Sequence, residues 1–203
     1  MKKKNKILLI LNIIIIILEI IGLITTIKMT GKLELKYYTE CSNIIMLVAS
    51  SIYVYYLLSK KDIPKWLEIL YHMGVLGLSI TFLVVIFILA PMYNFIYEWL
   101  LFDGGMLYFH TLCPIFAFIT YIFFTNTHIE KHELPYTMMF TIVYSVVLII
   151  CNICHLTEGP YPFLKVYKQP IYMSILWVVL IDGGAYLLSK AIYKIKRQVM
   201  NHD

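Results

Sequence analysis

A chain of 203 residues that is 61% hydrophobic and only 14% charged, with a mean hydropathy of +0.79, does not have the composition of a water-soluble domain; such domains carry roughly 25% charged residues and cannot hide this much apolar surface in one small core. The net charge of +5 does not point to nucleic acid, because the basic residues gather at the two ends (Lys2, Lys3, Lys4 and Lys6; Lys190, Lys194, Lys196 and Arg197), as flanks lying against anionic lipid do. A basic stripe with interleaved aromatics, which base reading requires, is missing.

Apolar runs long enough to cross a bilayer as helices occur at 7–27, 43–59, 67–90, 106–125, 136–155 and 171–189. The first follows MKKKNK and resembles a signal peptide, but its apolar stretch exceeds the about 7–15 residues of such a segment and lacks an A-x-A-like cleavage site, so it reads as a retained signal anchor. Membrane barrel strands are shorter and alternate apolar with polar, which these runs do not. The expected fold is therefore all-α: a single domain over 1–203, built as a bundle of about six transmembrane helices. With the N-terminus inside, twelve of the seventeen Lys and Arg residues fall on cytoplasmic segments, which predicts both termini in the cytoplasm.

Polar groups inside spans are costly and tend to face a cavity or one another. In this topology Thr39, Cys41, Ser42 and Asn43 stand at the outer start of the second span, His110 near the outer end of the fourth, and Asn152 and His155 at the outer end of the fifth. Glu19 lies in the outer half of the first span and Asp182 near the midplane of the sixth; His72, near the inner end of the third, is the exception. Together they outline a polar pocket in the outer half of the membrane. Taken singly, Thr39, Ser42 and Asn43 also suit helix N-capping. A hydroxyl or thiol beside a neutral histidine is the arrangement of covalent catalysis, so Thr39, Cys41 or Ser42 with His110 or His155 are candidate pairs, and Glu19 or Asp182 could orient the imidazole or simply be buried carboxyls.

Two further motifs carry less. Cys151 to His155 spells C-x-x-C-H, the haem-attachment signature, but it continues an apolar run and reads as core cysteines. His128 and His132, with Glu130 and Glu133 beside them, read as a solvated inner loop rather than a zinc site. No metal or cofactor is required by these residues.

Four pieces of the chain carry a family resemblance: Tyr38-Thr39 with Ser42-Asn43 in YYTECSN, Leu89-Ala90-Pro91 closing the third span, FHTLCPIFAFITYIFF with His110 and Pro114 in the fourth, and GPYPFLKV from Gly159 to Val166. In these pieces, their order and their spacing, the chain resembles the androgen-induced-protein family of six-span membrane hydrolases, and in particular its bacterial branch. The resemblance implies a threonine hydrolase of fatty acid esters of hydroxy fatty acids, with Thr39 as nucleophile and His110 as base. The resulting expectation is an intramembrane lipid esterase in a bacterial inner membrane, with membrane lipids and a lipid ester as its partners. Amides at the start of the second helix, or Asn43, would hold the oxyanion. The alternative is a small transporter or lipid-binding module using the same pocket, for which His72 is the best support; a structural subunit is a third reading.

Overall fold

The computed structural model describes residues 3–126 and 128–202; Lys2 and the side chain of Lys3, two of the expected basic flank, lie outside what it describes. Among the described residues the chain is helical throughout, without a strand, and six helices are long and apolar enough to cross a membrane. They are α1 (Lys4–Thr30), α2 (Tyr38–Leu58), α3 (Lys65–Met92), α5 (Gly104–Phe124), α6 (Lys131–Ile153) and α7 (Ile171–Asn201). Between α3 and α5 lies a short helix, α4 (Tyr97–Phe102), in the segment that joins the third and fourth apolar runs.

In lipid the helices gain nothing from leaving water, so close packing and internal hydrogen bonds must hold them together. α1 shows how the sequence does this. Its buried residues Leu8, Asn12, Ile15, Glu19 and Thr26 recur at intervals of three and four or their sum, one stripe of an otherwise lipid-facing isoleucine-rich helix. At the α2–α3 contact the small residues Gly74 and Gly77 admit the facing helix: a Cβ on Gly77 would stand 2.9 Å from Ser42 Cβ, and one on Gly74 2.9 Å from Met46 Sδ. α7 is peripheral, with only 6% of its most apolar window buried.

Two of the spans contain wide-turned π-helical stretches: Val85–Leu89 in α3, and Leu107–Leu112 and Thr120–Phe124 in α5. Pro91 and Pro114 follow the first two by two residues. A proline removes the N–H that the preceding turn would use, and a π turn is one way to absorb that loss.

Several sequence expectations change here. The second span starts at Tyr38 rather than 43, so Thr39, Ser42 and Asn43 are residues of its first two turns and not caps; the cap position is Tyr37, which makes no side-chain capping bond. The basic C-terminal segment continues α7, and Lys196 is buried rather than lying at a lipid flank: its ammonium donates to the carbonyls of Ile122 and Thr125 at 3.1 and 2.6 Å, the favourable place for a cation at a helix C-terminus. His72 is enclosed, with Nδ1 against the Tyr121 hydroxyl (2.8 Å) and Nε2 against Ser189 Oγ (3.2 Å), so both ring nitrogens are engaged within the bundle. Glu133 accepts from the Glu130 amide and pairs with Lys65 at 2.8 Å, while His128 pairs with Glu130 at 3.3 Å; the histidine-rich loop is tied down by ion pairs, and among the described residues no cluster of metal-ligating side chains forms.

C-x-x-C-H has a backbone explanation. α6 ends in a Schellman turn, with Leu156 N–H on the Cys151 carbonyl and His155 N–H on the Asn152 carbonyl, which puts His155 at the left-handed position (φ 56°). Its ring stacks on Tyr167 at 4.4 Å. Cys154 is exposed and not a core residue; Cys151 is half-buried. Because a side chain in the left-handed region costs about 1–2 kcal/mol, His155→Gly is expected to raise the melting temperature in detergent and His155→Val to lower it.

Candidate active site

The end of the bundle that carries the α3–α5 and α6–α7 connections is shaped by a second apolar cluster, in which Val85, Leu89 and Ala90 of α3 pack with Leu100 and Leu101 of α4 and with Phe163 of the α6–α7 loop. α4 has only six residues, so its last carbonyls have no partner within the helix. Two consecutive side chains of the π-helical stretch in α5 supply one. His110 Nδ1 stands 2.6 Å from the Leu100 carbonyl, and Thr111 Oγ1 donates to the Leu101 carbonyl at 2.8 Å.

That contact decides the chemistry of the imidazole. A carbonyl oxygen only accepts, so Nδ1 carries the proton and Nε2 keeps its lone pair. Nε2 faces Thr39 Oγ1 at 3.4 Å. The separation is longer than the about 2.6–3.2 Å of a tight nucleophile–base bond, as is common before substrate closes a site. His110 itself is buried, 6% exposed.

The first two turns of α2 are pinned so that Thr39 holds this position. Ser42 Oγ donates to the Thr39 carbonyl at 3.0 Å and Asn43 Nδ2 to the same oxygen at 2.7 Å; Ser42 also meets Thr81 Oγ1 at 3.3 Å. One of the two amide N–H groups of Asn43 is thereby committed to the backbone. Cys41 points elsewhere. Residues two apart on a helix are separated by about 200°, and the Cys41 thiol donates to the Leu35 carbonyl at 3.1 Å in the α1–α2 loop. Cys41→Ala is therefore expected to leave any reaction at Thr39 unchanged, as followed by covalent labelling.

The remaining expected pocket residues disperse. Glu19 is fully buried beside the Cys113 thiol, Asp182 accepts from Ser145 Oγ at 3.0 Å, and His155 lies on the α6–α7 loop against Tyr167; none of these three contacts His110. The group that orients the imidazole is the Leu100 carbonyl, not a carboxylate.

A residue absent from the sequence-based site completes it. Tyr161, in the α6–α7 loop, accepts the Tyr38 N–H at 3.0 Å and lies against the hydroxyl and amide of Thr39. Loss of water around the hydroxyl end pushes the Tyr161 phenol up to about 12, so it remains a donor through the neutral range. The only hint in sequence was its place in GPYPFLKV.

Thr39 also lines a narrow apolar cleft of about 50 Å³, together with Tyr38, Tyr161, Ile149, Trp177 and Val178. Ile149, Phe163, Leu164 and Val178 also line a second cleft, which reaches Ile153, Ile171, Ile175 and Val179 on the surface between α6 and α7. The hydroxyl beside His110 thus borders an apolar cleft that shares its lining with one on the surface of the bundle. No family model, curated protein or solved structure matches the chain.

Proposed function

We propose that this protein is an intramembrane hydrolase of fatty acyl esters, acting through an acyl-enzyme on Thr39. The observation that carries the reading is the relay Leu100 C=O, His110, Thr39, with the ring nitrogen remote from the Leu100 carbonyl toward the hydroxyl and Thr39 on an apolar cleft. An ester lipid enters between α6 and α7, its chain along Ile149 and Val178 and its carbonyl at Thr39. Thr39 Oγ1 attacks the carbonyl carbon as its proton passes to His110 Nε2. The carbonyl oxygen, now negative, receives the Tyr161 hydroxyl proton in a hydrogen bond. Collapse of the intermediate breaks the ester C–O bond, and the leaving alkoxide takes the proton back from Nε2. Water, deprotonated by the same nitrogen, then releases the fatty acid and restores Thr39.

The motif resemblance to the androgen-induced-protein family supports the same pairing of Thr39 and His110. The charge distribution supports cytoplasmic termini and a site in the outer half of a bacterial inner membrane, with membrane lipids around it. His72, the residue that favoured the transporter alternative, has both ring nitrogens hydrogen-bonded within the bundle.

The test is covalent labelling of the detergent-purified protein with a fluorophosphonate, followed by peptide mapping. A phosphonyl group on Thr39, absent in Thr39→Ala, is the expected result; a folded wild-type protein that takes up no label overturns the assignment.

A further inference from the structure

Eight buried side-chain oxygens among the described residues lack a hydrogen-bond partner: Asn12 Oδ1, both carboxyl oxygens of Glu19, Thr26 Oγ1, Asn43 Oδ1, Ser50 Oγ, Tyr71 Oη and Thr120 Oγ1. Their placement is not scattered. Asn12, Glu19 and Thr26 follow at intervals of seven on α1, Asn43 and Ser50 at the same interval on α2, and Thr120 stands seven after Cys113 on α5. Seven residues are two turns, about 10 Å along one face.

The helix registers bring these faces together. Gly22 of α1 packs on Phe109 and Gly105 on Thr26, so the antiparallel pairing of α1 with α5 carries Glu19 to Cys113 and Asn12 to the level of Thr120. Tyr71 lies beside Ser50 and Asn12 without reaching hydrogen-bond distance. The unpartnered oxygens therefore form a column through the interior of α1, α2, α3 and α5. Each asparagine has turned one N–H to the backbone, Asn12 to Leu8 and Asn43 to Thr39, and leaves its carbonyl oxygen in the column without a donor.

Unsatisfied oxygens in a hydrocarbon environment cost several kcal/mol each if left dry, and internal water is the usual remedy. We propose that this column holds a file of internal waters and delivers the hydrolytic water to Thr39. The inference rests on the acyl-enzyme reading above for its second part only. The acyl chain and the water then approach the nucleophile along separate routes, one apolar through α6 and α7 and one polar along α1. The route reaches the site at Asn43, one helical turn beyond Thr39, whose Nδ2 donates to the Thr39 backbone carbonyl.

The experiment is X-ray hydroxyl-radical labelling of the full chain in detergent, which oxidises reactive side chains next to bound water even when they are buried. Cys113, fully buried beside Glu19, is the reporter; Met138, buried at the inner end of α6, is the control. The expected result is oxidation of Cys113 at least about tenfold faster than Met138. Equal rates overturn the column, whatever the activity of the protein. In Asn12→Leu/Thr120→Val the Cys113 rate should fall, fluorophosphonate labelling should persist, and a chromogenic ester should leave an acylated protein visible by intact mass. Should that variant not fold, Ser50→Ala reads the same two quantities. Normal deacylation in a variant whose Cys113 has become unreactive overturns the delivery role. A wild-type protein that ignores the fluorophosphonate while Cys113 is rapidly oxidised overturns the hydrolase reading and delivery together, and leaves the water column standing.

Discussion

His110→Ala is expected to lower ester turnover by about 10²–10⁴-fold, the usual contribution of a positioned general base, which corresponds to about 3–5 kcal/mol of transition-state stabilisation. The loss should fall on kcat, with KM little changed, because His110 does not line the apolar cleft that would hold the acyl chain. His110→Asn separates chemistry from architecture. Its amide nitrogen takes the place of Nδ1 and can still donate to the Leu100 carbonyl and hold α4 in place, but it has no basic lone pair for the Thr39 proton. The asparagine variant should therefore keep the melting temperature of the wild type better than the alanine variant while being as inactive. Steady-state hydrolysis of a chromogenic ester and thermal unfolding of the same preparations decide it. Wild-type turnover in His110→Asn would remove the histidine from the mechanism.

The contrast between the two halves of this site shows what a sequence displays and what it conceals. The six spans were visible because lipid imposes a length and a composition that nothing else in the chain imitates. Thr39 and His110 were visible because polar groups are conspicuous in such runs. Their partners were not. Leu100 acts through its backbone carbonyl, and an apolar residue in a connecting segment gives no sign that its carbonyl is spoken for. Tyr161 is one tyrosine among seventeen in a protein whose aromatic residues are at home everywhere. The start of α2 was misplaced for a related reason. Thr39, Ser42 and Asn43 have the composition of an N-cap, but the Tyr161 hydroxyl accepts the Tyr38 N–H, so a residue more than a hundred positions away does part of the work of a cap. The helix can begin at Tyr38, and Thr39 is free to turn toward His110.

In the proposed mechanism the Tyr161 hydroxyl has two duties, and its removal separates them. As a tertiary cap it is worth about 1 kcal/mol of stability, judged by what N-cap side chains contribute. As the donor to the developing oxyanion it is worth far more, since deletion of one such donor costs about 10²–10³-fold in kcat. Tyr161→Phe keeps the ring, its stacking on Phe163 at 5.2 Å and its edge contact with Tyr37 at 6.2 Å, and deletes only the hydroxyl. The expected variant is folded, melts slightly lower than the wild type, binds ester with an ordinary KM and turns it over at least about a hundredfold more slowly. Fluorophosphonate labelling should slow in parallel, because the phosphonyl oxygen occupies the place of the oxyanion. A purely structural Tyr161 predicts the opposite division: a lower melting temperature with kcat preserved in the surviving folded fraction. Measuring kcat per labelled Thr39, rather than per milligram of protein, keeps the two apart, because it counts only molecules whose nucleophile is in place.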